Sequence, residues 1–183
     1  MRSLLLGALI LSLPLRPYAA TQTVLGNQLL VKNGATAAAR KIVFKAKELA
    51  TDNTIVGDPT ANGATLQVTA NGVASTTQTY PLPIGTSPTT GKPFWSGDAV
   101  GGYKYTDPKG DNGPIKAAAI KKTASGVFQM KAVVDGKNGS ITVLPPNTGT
   151  DGCVRFAIGS GDIYDVRFAS GVVVNKTTAQ FQV

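Results

Sequence analysis

The most regular feature of the chain is a series of short segments in which apolar and polar residues alternate. The alternation is clearest in "VFQMKAVV" (127–134) and "IYDVRF" (163–168). A period of two places successive side chains on opposite faces of a strand. Each segment therefore predicts a half-buried β-strand with one face toward a core and the other toward solvent.

Turn residues separate these segments at intervals of roughly ten residues, which is typical of an antiparallel β-sandwich or a partly closed barrel. Asn71-Gly72 also predicts a two-residue hairpin turn. The sequence thus predicts an all-β fold of about ten short strands, in one domain over residues 21–183. The predicted strands are 27–32, 41–47, 64–70, 74–82, 102–106, 115–123, 127–135, 140–144, 153–159, 162–169 and 171–183.

The segment "KIVFKAK" (41–47) follows a run of good helix formers but alternates in its own residues. The alternation favours a strand over a helix. One face of that strand is apolar, and the other carries Lys41, Lys45 and Lys47.

Residues 1–20 have the order of a secretory signal peptide. Arg2 is followed by an apolar run over 4–13 and by the small residues Ala19 and Ala20. The run is shorter than the roughly 20 apolar residues that span a bilayer. We expect export to the periplasm, the cell surface or the medium, with no transmembrane segment in a mature chain that begins near Thr21. A cut after Ala20 places the large Tyr18 at the −3 position.

The charge pattern argues against a nucleic-acid site. The net charge of +8 falls to +6 when Arg2 and Arg16 leave with the first twenty residues. The lysines are spread along the chain, and there is one Trp, whereas a nucleic-acid site needs a concentrated basic stripe with aromatic residues. A mildly basic surface of this kind still attracts acidic polysaccharide or anionic lipid.

The chain contains no histidine, which excludes Ser-His-Asp and Cys-His catalysis and most zinc and copper sites. Cys153 is the one cysteine, so an intramolecular disulfide cannot form. Because free cysteine is among the most buried residue types, we expect Cys153 to be buried and unreactive. A carboxylate-based hydrolase is the enzyme class that stays open, although nearly all the acids lie at predicted turns.

The stretch "DPKGDNGP" (107–114) has two interpretations. Asp107 and Asp111 are calcium-ligand candidates, but the distal Glu of an EF-hand is missing. Asp-Pro and Asn-Gly-Pro also form turns. We expect a structural double turn that joins two antiparallel strands, and no effect of calcium on stability. Asp58, in "GDPT", is interpreted in the same way, and no cofactor is expected.

Three aromatic residues also have two interpretations. Tyr103 and Tyr105 lie on one face of their predicted strand, and Trp95 lies in a predicted loop. Tyr103 and Tyr105 are core candidates, and Trp95 is the best candidate for an exposed ring. Alternatively, Trp95, Tyr103 and Tyr105 form a platform on which sugar rings stack.

Three segments together resemble a domain that recurs in exported proteins of environmental bacteria. They are "GDPTANGATLQV", "GYKYTDPKGDNGPIKAAAIKK" and "GTDGCVRFAIGSGDIYDVRF", within residues 28–169. Some members of that domain carry cysteines at the positions of Ile115 and, approximately, Asp165, so any disulfide between those positions is absent here. The resemblance implies a secreted β-domain and brings no activity, catalytic residue or binding residue with it.

Three functions therefore stay open. The first is an exported, non-enzymatic β-domain with a structural or interaction role at or outside the cell surface, where its partner is a polysaccharide or another surface protein. The second is a carbohydrate-binding module that uses Trp95, Tyr103 and Tyr105. The third is a carboxylate-based hydrolase.

Overall fold

A computed structural model describes residues 18–70, 76–146, 152–168, 174–176 and 178–183. The chain is all-β, as the alternation predicts, and its strands form a strongly curled half-barrel. The Asn71-Gly72 turn and most of the predicted signal peptide lie outside the described residues. In the described part, no helix has the length and apolar character needed to span a membrane.

Most strands lie where the alternation predicts them, and a four-residue helix α1 (Pro59–Asn62) follows the Asp58 turn. The strands are β1 (Thr21–Lys32), β2 (Lys41–Glu48), β3 (Ala64–Thr69), β4 (Thr77–Leu82), β5 (Trp95–Asp98), β6 (Gly102–Thr106), β7 (Ile115–Lys122), β8 (Phe128–Asp135), β9 (Cys153–Ile158), β10 (Ile163–Arg167), β11 (Val174–Lys176) and β12 (Gln180–Gln182). A single 3-10 turn covers Ala37–Ala39.

The long strand β1 joins the two halves of the sheet. The strand order is β4-β3-β9-β10-β1-β2-β8-β7-β6-β5, with the β11-β12 hairpin attached to the end of β1. The first part of β1 pairs with β10 in parallel, and the second part pairs with β2 antiparallel. An irregularity between Gly26 and Gln28 separates the two parts, and such a bulge bends a strand. The β1–β10 pairing departs from the predicted antiparallel pattern.

The core lies inside the curl and is built by the predicted alternation. In β8, Phe128, Met130, Ala132 and Val134 are buried while the residues between them are partly or fully exposed. The neighbouring strands β2 and β7 alternate in the same sense, and their buried residues belong to the same core as those of β9 and β10. Across this core, the rings of Phe128 in β8 and Tyr164 in β10 lie 5.5 Å apart. Burial of this apolar face is the main stabilising contribution to such a fold.

The two edges of the sheet meet. Trp95 in β5 is buried, and its indole Nε1 donates a hydrogen bond to the carbonyl oxygen of Leu82 in β4 at 3.2 Å. Because β4 and β5 are the first and last strands of the order, this bond links the edges of the half-barrel.

Two predicted strands are wrong. Residues 140–144 form no strand because side chains bind their backbone. Gln78 Oε1 accepts from the Thr142 amide, and the Arg40 guanidinium donates to the Ile141 carbonyl. Residues 171–183 contain β11 and β12, not one strand, and β5 was not predicted because only its first residue is buried.

Candidate functional site

The double turn after β6 is built around a buried carboxylate. Asp107 is fully buried, and its Oδ1 accepts from the amides of Gly110 and Asp111 while its Oδ2 accepts from the amide of Asn112. Strands β6 and β7, on either side, are antiparallel neighbours, so the predicted turn is confirmed. Gly110 has φ 74°, a conformation that glycine adopts without strain.

Asp111 has a different role from the one expected of a turn residue. Its carboxylate accepts from the hydroxyls of Ser87 and Thr89, in the loop between β4 and β5. These two bonds lower the pKa of Asp111, since they stabilise its charged form. Asp111 therefore fastens the 83–93 loop to the double turn. The described residues contain no cluster of three or more candidate metal ligands.

Calcium is a direct test of this arrangement. We expect millimolar calcium to leave the melting temperature of the protein unchanged, because the oxygens of Asp107 and Asp111 already accept from amides and hydroxyls. Asp111→Ala lowers the melting temperature slightly by releasing the loop, equally with and without calcium. A melting temperature that rises with calcium, in the wild-type protein but not in Asp111→Ala, would contradict this expectation and identify a metal site.

The three predicted aromatic residues lie in the core, and the expectation that Trp95 is exposed is wrong. The ring of Trp95 meets that of Tyr105 edge-on at 5.2 Å, and Tyr103 is also buried. Burial raises the pKa of Tyr105 to about 12, while a bond from Asn112 opposes the shift. Because none of the three rings is exposed, they do not provide an accessible stacking platform.

Cys153 is exposed, so the expectation that it is buried is wrong. It is the first residue of β9, in which Val154 and Phe156 are buried and Arg155 is exposed. The alternation of its own strand therefore points Cys153 outward. The general tendency of cysteine toward burial is weaker than this local pattern.

Thiol labelling tests the position of Cys153. We expect the native protein to react with an aromatic disulfide reagent at nearly the rate of the unfolded protein, because the side chain is accessible. The measurement compares labelling in buffer with labelling in denaturant. Slow labelling that becomes fast after unfolding contradicts the exposed position.

The most site-like surface is a basic groove on the outward side of the sheet. The groove has a volume of about 810 Å³ and crosses strands β2, β8, β7 and β6. Pockets of roughly 300–1,000 Å³ are typical of ligand sites. We call its five lysines the lysine face: Lys45, Lys47, Lys104, Lys121 and Lys131.

Strand register places these lysines side by side. Lys45 lies directly opposite Lys131, Lys131 opposite Ala119, and Ala119 opposite Lys104. With strands about 4.8 Å apart, this row extends over about 14 Å across four strands. Lys47 and Lys121 flank Gln129 in the next row.

The positive charges of this surface have no acid beside them in the groove lining. Among the residues that the structure describes, no acid lines the groove and none of the five lysines forms an ion pair. On the other half of the sheet, by contrast, Arg155 pairs with Asp165 at 3.1 Å. Like charges directly opposite each other destabilise a sheet. Repulsion of this kind therefore acts between Lys45 and Lys131, the pair of lysines that lie directly opposite each other.

Small residues form the floor between the lysines. Ala117 and Ala119 of β7 are partly exposed there, and Gly102 of β6 approaches Lys121. The small side chains leave the sheet surface open between the lysine side chains.

Sequence reasoning missed this surface because the lysines are far apart in the chain. The outward positions of Lys45, Lys47 and Lys104 follow from alternation in β2 and β6. Their assembly depends on pairing between strands distant in sequence, which no local pattern reveals. Comparison with known proteins gives no match to a protein-family model, to a curated protein or to a solved structure.

Proposed function

We propose that the protein is an exported, non-catalytic β-domain whose lysine face binds an acidic polysaccharide at or outside the cell surface. The observation that carries the proposal is the row of Lys45, Lys131 and Lys104 with no acid among the groove-lining residues. Ammonium groups at intervals across the sheet match the repeated carboxylates or sulfates of an acidic glycan, and charge-assisted hydrogen bonds are the strong ones.

The chemistry of the surface favours a polysaccharide over other polyanions. Single-stranded nucleic acid is bound by exposed aromatic rings on which bases stack. Among the described residues the one exposed large aromatic is Tyr18, which does not line the groove. Membrane-surface binding needs large apolar side chains that insert between lipids, and none of the exposed large apolar residues in the described part of the chain lines this groove. An acidic sugar chain needs neither exposed aromatic rings nor an inserting apolar face, because its negative groups bind to the lysine ammonium groups.

A non-catalytic role is supported by the positions of the acids. The sequence has no histidine. The buried carboxylate of Asp107 accepts hydrogen bonds from three amides. That of Asp162 accepts from backbone amides and from a side-chain hydroxyl. Such carboxylates hold the fold together and are poorly placed to transfer protons to a substrate.

Affinity for a small panel of polymers tests the proposal. The mature chain is titrated with polygalacturonate, neutral dextran, anionic phospholipid vesicles and a single-stranded DNA homopolymer. We expect binding to polygalacturonate that weakens as salt rises and no binding to dextran. The proposal is refuted if dextran binds as tightly as polygalacturonate, or if polygalacturonate does not bind. Tighter binding to vesicles or DNA than to polygalacturonate also refutes it.

A further inference from the structure

A buried carboxylate lies beside Ala20, the residue that precedes β1. Asp162, just before β10, is fully buried. Its Oδ2 accepts from the amide of Val56 at 2.7 Å and from the hydroxyl of Thr54 at 3.1 Å, with Tyr164 more distant at 3.3 Å. Its Oδ1 accepts from the amide of Ala20 at 2.8 Å.

In the part of the chain described from residue 18 onward, Ala20 is the first residue that the sheet holds by its backbone. Besides the bond from its amide to Asp162, its carbonyl oxygen accepts from the Ile163 amide at 2.9 Å. The next residue, Thr21, begins β1 opposite Ile163. Upstream, Tyr18 is 93% exposed. The position of Ala20 relative to the predicted cleavage site therefore decides whether the Oδ1 atom of Asp162 keeps its backbone donor.

We propose that export cuts the chain between Ala19 and Ala20, and that the new α-ammonium group of Ala20 pairs with Asp162. This inference rests on the export part of the proposed function. In the cut, water adds across the peptide bond. The C–N bond breaks, Ala19 leaves as a carboxylate with the leader, and the nitrogen of Ala20 gains protons. The ammonium then occupies the position of the former amide, so a hydrogen-bonded ion pair replaces the hydrogen bond from a neutral amide.

The small-residue pattern alone does not choose between the two candidate cuts. A cut after Ala20 places Tyr18 at −3, and a cut after Ala19 places Pro17 there, with alanine at −1 in both cases. The contacts of Ala20 in the structure favour the cut after Ala19 over the cut after Ala20. Loss of Ala20 removes the donor to Asp162 Oδ1 and the acceptor for the Ile163 amide. Buried groups that lose their partners destabilise a fold, and charged ones most of all.

The starting residue of the exported protein is the first test. The full-length chain is expressed in a bacterial host, and the exported protein is analysed by intact mass and N-terminal sequencing. We expect a start at Ala20. A start at Thr21 overturns this inference and leaves the export proposal standing, whereas an intact Met1 form overturns both.

Three purified chains test the pairing without export: one that begins at Ala20, the same chain acetylated at its N-terminus, and one that begins at Thr21. We expect the Thr21 chain to melt about 5 °C below the Ala20 chain, with the acetylated chain between them because it keeps the donor but not the charge. In Asp162→Asn, acetylation should have little effect. Equal melting temperatures for all three chains overturn the pairing.

Discussion

Trp95→Ala is expected to destabilise the protein by about 4 kcal/mol, a typical cost of emptying a buried aromatic site. The substitution removes the ring that packs on Tyr105 and leaves the Leu82 carbonyl without its indole donor. It also breaks the link between edge strands β4 and β5. Thermal unfolding should show a melting temperature lower by about 10 °C.

Trp95→Phe is the matched control, since it keeps a ring but loses the hydrogen bond to Leu82. Its expected cost is about 1 kcal/mol, the usual contribution of one hydrogen bond. If Trp95 were instead an exposed sugar platform, Trp95→Ala would leave the melting temperature unchanged and abolish carbohydrate binding. That result would contradict the edge-linking role.

Charge reversal on the lysine face has the largest expected effect on binding. The triple variant Lys45→Glu, Lys104→Glu, Lys131→Glu replaces the row of cations with anions. Loss of about 1 kcal/mol for each of three contacts predicts an affinity for polygalacturonate at least 100-fold lower. Calorimetric titration at low ionic strength measures it.

A second triple variant with the same net charge as the first serves as the control for this experiment. Lys92→Glu, Lys137→Glu, Lys176→Glu changes the net charge by the same amount at exposed lysines that do not line the groove. We expect its affinity to fall only a few-fold, through the weaker overall field. Similar losses in the two triple variants would mean that net charge, and not the lysine face, attracts the polymer.

The strands that sequence predicts best are those with many alternating residues. In β8 and β10 each inward position is apolar, so period and burial agree. Strand β5 has one buried residue and therefore no detectable period. Residues 140–144 have the composition of a strand, but bonds from Gln78 and Arg40 take the place of a neighbouring strand. Such bonds between distant residues leave no trace in a local pattern.

The candidate site was harder to predict than the fold, for two physical reasons. Trp95 was expected in an exposed loop because the preceding sequence is rich in Gly, Pro and Thr, yet closure of the sheet buries it. The lysine face depends on the register between β2 and β8, which are distant in sequence. The exposure of Cys153 was predictable in principle, because its buried neighbours Val154 and Phe156 fix the outward direction.

The most direct test of the proposed function is to map where an acidic sugar chain touches the protein. Amide chemical shifts of ¹⁵N-labelled protein are recorded as a galacturonic-acid oligomer is added. We predict that the shifts which change cluster on the outward rows of β2, β8, β7 and β6, around Lys45, Ala119 and Lys131. Changes clustered around Cys153 and Arg155 on β9, or no changes at all, would contradict the proposal.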